Sequence, residues 1–141
     1  MGSSRVRRKM QDREAYQYAI WRVVPSLERG EYINAGVMLF CRRKSFLKAR
    51  IHLDEKRLAS LAPAFDSSMV LSHLKIREAI ASGEASGGPV SSLPMSDRFG
   101  WLAAPSSTVI QSSEVHTGIC DHPEKALDHL FQTLVLSDGS G

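Results

Sequence analysis

The stretch that decides the fold is "YINAGVMLFCRRKSFLKARIHLD", residues 32–54. Its first half, Tyr32 to Cys41, ends in the unbroken apolar run Val37-Met38-Leu39-Phe40-Cys41. A strand that is apolar at consecutive positions is buried on both faces, which predicts a central place in a sheet. Arg42-Arg43-Lys44-Ser45 then reads as a charged turn. Beyond it, Leu47, Ala49, Ile51 and Leu53 alternate with Lys48, Arg50 and His52. That period of two predicts a half-exposed strand from Phe46 to Leu53. The two strands form an antiparallel hairpin in this reading. Asp54 is suited to cap a short helix over Glu55 to Leu61, stopped near Pro63.

Upstream, Tyr16 to Val24 is rich in aromatic and β-branched residues and predicts a strand ended by Pro25. Downstream, Asp66 or Ser67 caps a helix to Ser82. Met69, Val70, Leu74, Ile76 and Ile80 share one broad face of it, and His73 and Arg77, four apart, fall inside that same face. The Gly/Ser/Pro-rich segment 83–94 reads as a mobile loop. Ser96 is expected to cap a turn of helix through Leu102, and Thr108 to Ser112 forms a fourth strand. Ser113 to Cys120 reads as irregular and polar. The last helix carries Asp121 and Glu124 at capping-box spacing, Pro123 in its first turn, and a stripe of Leu127, Leu130, Phe131 and Leu134. Strands first, then helices, one more strand and a helix predict an α+β fold, with a mostly antiparallel sheet of about four strands covered on one face by helices. The expected domain is 14–136, flanked by a basic, disordered tail at 1–13 and a frayed end at 137–141.

The chain has 141 residues, enough for one domain with a real core. Its net charge of +3 is carried by the tail: removing Arg5, Arg7, Arg8 and Lys9 leaves the body at −1. No apolar run approaches the roughly 18 residues that span a bilayer, and no apolar segment follows the basic N-terminus as in a secretory signal. A cytoplasmic location is expected, with Cys41 and Cys120 as free thiols.

Several groups bear on function. Arg22 lies inside a strand and needs a counter-charge, which Glu28 or Glu31 is placed to supply. A polar pocket of Arg22, Glu28, Arg29 and Asn34 is the functional reading; the plainer one pairs Arg22 with a single glutamate. His116, Cys120, Asp121 and His122 are metal-capable types, but their spacing matches no zinc motif, and no metal is expected. Cys120 or Ser113 beside His116 has the residue types of a nucleophile and base without a nucleophile elbow. No phosphate loop, dinucleotide fingerprint or H-E-x-x-H is present, so no cofactor is expected. Arg42, Arg43, Lys44, Lys48 and Arg50 cluster on the hairpin and offer a surface for a phosphate backbone, or simply a solvated, aggregation-resistant edge. Arg98, Phe99 and Trp101 place aromatics beside an arginine, suited to anchoring a partner or to the chain's own core.

The segments "YQYAIWRVVPSLERGEYINAGVMLFC", "ARIHLD" and "RFGWLAAPSSTVIQSSEVHTGICDHPEKALDHLF" resemble, in order and over Tyr16 to Leu134, the bacterial domain-of-unknown-function family number 3037. The resemblance implies a small bacterial cytoplasmic protein with no activity to carry over. It also implies an accessory role beside a HipA-like kinase protein, and an arginine where this chain has Ser106. The function expected is a non-catalytic interaction module for a protein or peptide partner, using Arg22, Glu28, Arg29, Asn34, Arg98, Trp101 and His116. The alternatives are a small enzyme with Glu28 or His116 as acid/base and Arg22 or Arg29 holding an anion, and nucleic-acid binding by the hairpin.

Overall fold

The computed structural model describes residues 13–26, 28–105 and 108–136. The basic tail through Lys9, the end at 137–141 and Ser106 lie outside the described residues. The hairpin of residues 32–54 forms as the pattern demands. Strand β1 (Glu14–Ser26) pairs antiparallel with β2 (Glu31–Cys41), and β2 pairs antiparallel with β3 (Phe46–Ile51). Ser45 closes the tip with a positive φ of 50°.

Two further strands complete the sheet. β4 (Ile110–Ser112) and β5 (His116–Cys120) both pair with the free side of β1, one along each half of it. The order is β3-β2-β1-β4, with β5 continuing the β4 side. The residues between them hold the join: Ser113 donates its N–H to the Ile20 carbonyl at 2.8 Å, and its hydroxyl accepts the Ile20 N–H at 2.9 Å. Residues 113–120 are therefore not wholly irregular, as the sequence pattern suggests; five of them are a strand, recruited by β1. β1 also runs past Pro25. The pairing with β2 lapses between Val23 and Ser26, so the proline nitrogen, which has no hydrogen to donate, breaks no ladder bond.

The helices are α1 (Glu55–Leu61), α2 (Ser67–Ser82), α3 (Met95–Ala103) and α4 (Pro123–Phe131), the last running into a π-helical turn over Gln132–Leu136. The Asp54 carboxylate accepts the Arg57 N–H at the start of α1, and that of Asp66 accepts the N–H groups of Ser68 and Met69 at the start of α2. Other caps depart from expectation. α3 begins at Pro94 rather than on a Ser96 cap, and α4 begins at His122 with no side-chain cap. The Asp121 carboxylate lies 3.7 Å from Arg13 and makes no capping bond to α4. Residues 83–94 are not an open loop but two short 3-10 turns, Ala85–Gly87 and Pro89–Ser92, with Ser91 buried.

The sheet is covered on both faces, not one. On one side α1, α2 and α3 close the larger core around Trp21, Val23, Met38, Phe40, Leu58 and Leu74. On the other, α4 and its π turn seal Val37, Leu39, Cys41, Leu127 and Val135. β2 serves both. Trp21 faces Gly36 across the ladder, but the next β1 residue, Arg22, faces Asn34, so Ala35 is one residue extra. This bulge lets Ile33 and Ala35 join the same core as Met38 and Phe40, although their parity differs.

Candidate functional site

The strand-end residues expected to form a polar pocket are only partly brought together. Arg22 and Asn34 are cross-strand neighbours on the face that carries α4. Arg22 meets no carboxylate among the described residues: its guanidinium stacks on the Tyr32 ring, 4.6 Å from the centroid, and its Nε is buried without a hydrogen-bond partner there. Glu31 is engaged by Arg29 at 3.0 Å, and Glu28 is exposed without an ion pair to any described residue. The physical reason is position: Glu28 lies in the turn between the strands and Glu31 stands opposite Ser26, four residues along β1 from Arg22, while Tyr32 lies alongside Arg22. Asn34 uses its amide nitrogen on the Leu134 carbonyl at 3.1 Å and ties the π turn to the sheet.

His116 stands elsewhere. It pairs with Tyr18 in the ladder and its ring lies 5.2 Å from the Tyr18 ring. Tyr18 and Arg22 are four residues apart on one strand, so His116 is about 13 Å along the sheet from Arg22, at roughly 3.3 Å per residue. Glu28 is farther still, past the end of β1. That separation does not assemble Glu28, Arg22 and His116 about one substrate. Ser113 is buried and its hydroxyl is spent between Ile20 and the Glu114 carbonyl. Both cysteines are free thiols; Cys41 is buried, and burial followed by the nearby Cys41 pushes the Cys120 thiol up, with Lys44 opposing. Among the described residues no three metal-capable side chains converge.

The basic hairpin is largely engaged within the chain. Arg50 bonds Asp128 at 2.8 Å and Glu124 at 2.9 Å, and Lys48 reaches Glu124 at 3.4 Å. Lys44 donates to the Asp121 carbonyl, Arg43 lies 3.7 Å from Glu14, and Arg42 packs over Phe40. Arg98 is scaffold too: it donates to the Leu93 carbonyl at 2.8 Å and toward that of Ala81 at 3.4 Å, at the C-terminal end of α2.

Trp101 differs from these. It is 49% exposed and stands at the rim of a cavity of about 520 Å³, bounded by α2, the end of α3 and the chain leading into β4. From α2 come Met69, His73, Ile76 and Arg77, a stripe with helical spacing. Met69 and Ile76 are 43% and 45% exposed, so the broad apolar face expected of this helix is split: Val70, Leu74 and Ile80 fill the core while its flank is left open. Ile110, on the outermost strand, closes the far wall.

Arg77 lies on the inner side of this groove. Its guanidinium is 5.8 Å from the centre of the Trp21 ring and reaches the Leu102 carbonyl only at 3.5 Å. No carboxylate among the described residues pairs with it, and burial lowers its pKa. Sequence reasoning placed Trp101 in a binding role but did not carry His73 and Arg77 beyond their place on the helix. The available signal was an arginine at a position where the helical pattern asks for an apolar side chain.

The family model of "Protein of unknown function (DUF3037)" matches residues 18–135, and the chain belongs to that family. No curated protein and no solved structure matches it. No helix among the described residues is long and apolar enough to cross a membrane.

Proposed function

We propose that this protein is a non-catalytic interaction module that seats a peptide segment of a partner protein in the groove between α2, α3 and β4. The observation that carries the reading is the rim: Trp101, Met69 and Ile76 all stand between two-fifths and half exposed around one cavity. Contiguous exposed apolar side chains around a concavity mark binding surfaces, and tryptophan is prominent among residues that dominate binding energy. The pocket of about 520 Å³ is within the range of small-ligand sites and holds a few residues of an extended chain. A HipA-like kinase protein is the narrower form of the partner, supported only by what the family resemblance implies.

The test is retention of one partner by matched variants. A tagged chain at native expression is compared with Trp101→Ala, Ile76→Glu and the hairpin variant Lys48→Glu. The partner held by the unaltered chain should be lost from the first two and kept by the third. Retention by all three would sink the groove reading. Co-expression with a HipA-like kinase protein tests the narrower form, which fails if the two do not co-purify.

A further inference from the structure

Arg77 supplies what the groove's apolar rim does not, a reason for a ligand of one charge. We infer that the groove recognises the free carboxyl terminus of an extended peptide, with Arg77 holding the carboxylate and the apolar walls holding the last side chain; this rests on the groove being the binding surface. A guanidinium carries five N–H donors in a planar fork. Here one long contact, to the Leu102 carbonyl at 3.5 Å, is the hydrogen bond it makes among the described residues. A half-buried cation without a counter-ion is costly, and an arriving carboxylate removes that cost while forming two parallel charge-assisted bonds. His73, one turn earlier on the same stripe and also lining the cavity, adds a second nitrogen donor on that side.

The surroundings select a terminus over an acidic side chain. Met69, Ile76, Trp101 and Ile110 line the same cavity as the cation and give it mostly apolar walls. A C-terminal residue presents a carboxylate and its own apolar side chain from one α-carbon, and the chain stops there. An internal aspartate would carry its continuing backbone through the same apolar space. β4 borders the groove and, among the described residues, pairs with β1 alone, so an incoming extended segment lies beside a sheet edge.

The probes are three peptides: acetyl-Ala-Ala-Leu-Phe with a free carboxylate, the same peptide as its C-terminal amide, and acetyl-Ala-Asp-Leu-Phe amide. The chain's two tryptophans report directly, since Trp101 lines the cavity and Trp21 lies against Arg77. Titration followed by intrinsic fluorescence should show the free acid binding at least tenfold more tightly than either amide. In Arg77→Met the acid should fall to the level of the amides. The exposed His73→Ala, which leaves the core untouched, should weaken the acid a few-fold and the amides not at all. Equal binding of acid and amide by the unaltered chain overturns the inference without needing any variant to fold. So does equal binding of the internal aspartate peptide, and so does failure of all three to bind. If partner capture still depends on Trp101 in those cases, the groove reading stands and only the carboxylate falls; if it does not, both fall.

Discussion

Arg50 and Asp128 meet at 2.8 Å across 78 residues of sequence, and the same guanidinium reaches Glu124 at 2.9 Å. One side chain on the edge strand thus ties β3 to two successive turns of α4. All three groups are partly in water, so each pair is worth only about 0.2–1 kcal/mol. Arg50→Ala should lower stability by about 1 kcal/mol in low salt and by less in 0.5 M salt, measured by chemical denaturation.

The same cluster gives a pH dependence. Burial pushes the Glu124 carboxyl up, but the hydrogen bonds and charges of Arg50 and Lys48 together outweigh it and lower it overall. A carboxyl held lower in the folded chain stabilises it above the ordinary carboxylate range, and that contribution is lost as pH falls through the folded value. Thermal unfolding of the native chain should therefore lose stability below about pH 5 more steeply than Arg50→Ala does. Parallel slopes would remove Arg50 as the cause.

The smaller core is a separate point of attack. Leu127 is fully buried between α4 and the sheet. Leu127→Ala should cost about 2–4 kcal/mol, through lost burial and the cavity left behind. Hydrogen exchange should show α4 and the π turn opening first, with α2 and the larger core still protected.

Residues 83–94 offer a direct check on their packing. A Cβ at Gly87 would stand 2.8 Å from Ile80 Cγ1 and 2.9 Å from the Ile80 backbone nitrogen. The backbone of α2 cannot yield as a side-chain end can, so Gly87→Ala should destabilise by about 1–3 kcal/mol. A neutral result would mean that this segment is as open as its composition suggests.

The thiols should be slow. With Cys41 buried and Cys120 held above its ordinary value by burial, iodoacetamide at pH 7.5 should modify Cys120 well below the rate of a free cysteine, and Cys41 only on unfolding. Peptide mass spectrometry over a time course reads both.

How much of this was legible in the sequence follows from what each residue responds to. The hairpin of β2 and β3 was readable because its own alternation encodes it, and Asp54 and Asp66 were readable because a cap is local chemistry. β5 was not: Thr117 and Ile119 favour a strand, but His116 and Gly118 interrupt the pattern, and the strand takes shape against β1, where the absent side chain of Gly118 leaves room for the Tyr16 ring. The second covered face was hidden for the same reason. Lys48 and Arg50 look solvated until Glu124 and Asp128 arrive from the far end of the chain. At the candidate site, Trp101 declared itself as one of two aromatics beside an arginine. Arg77 did not, because only the folded neighbours show that it lies among apolar side chains with no acid to meet it.

Ala35 sets the phase in which β2 is read. Ahead of it the odd positions point toward α2; behind it the even ones do. The strand therefore behaves like a text with one inserted letter, which must stay outside the pairing for both halves to make sense. Straightening the bulge with every residue kept would set Ala35 opposite Arg22, turn Asn34 into the core and Ile33 away from it, whereas removing residue 35 altogether would keep Asn34 opposite Arg22 and Ile33 opposite Val23. The chain's tolerance to change at this position is thus one of length rather than of composition.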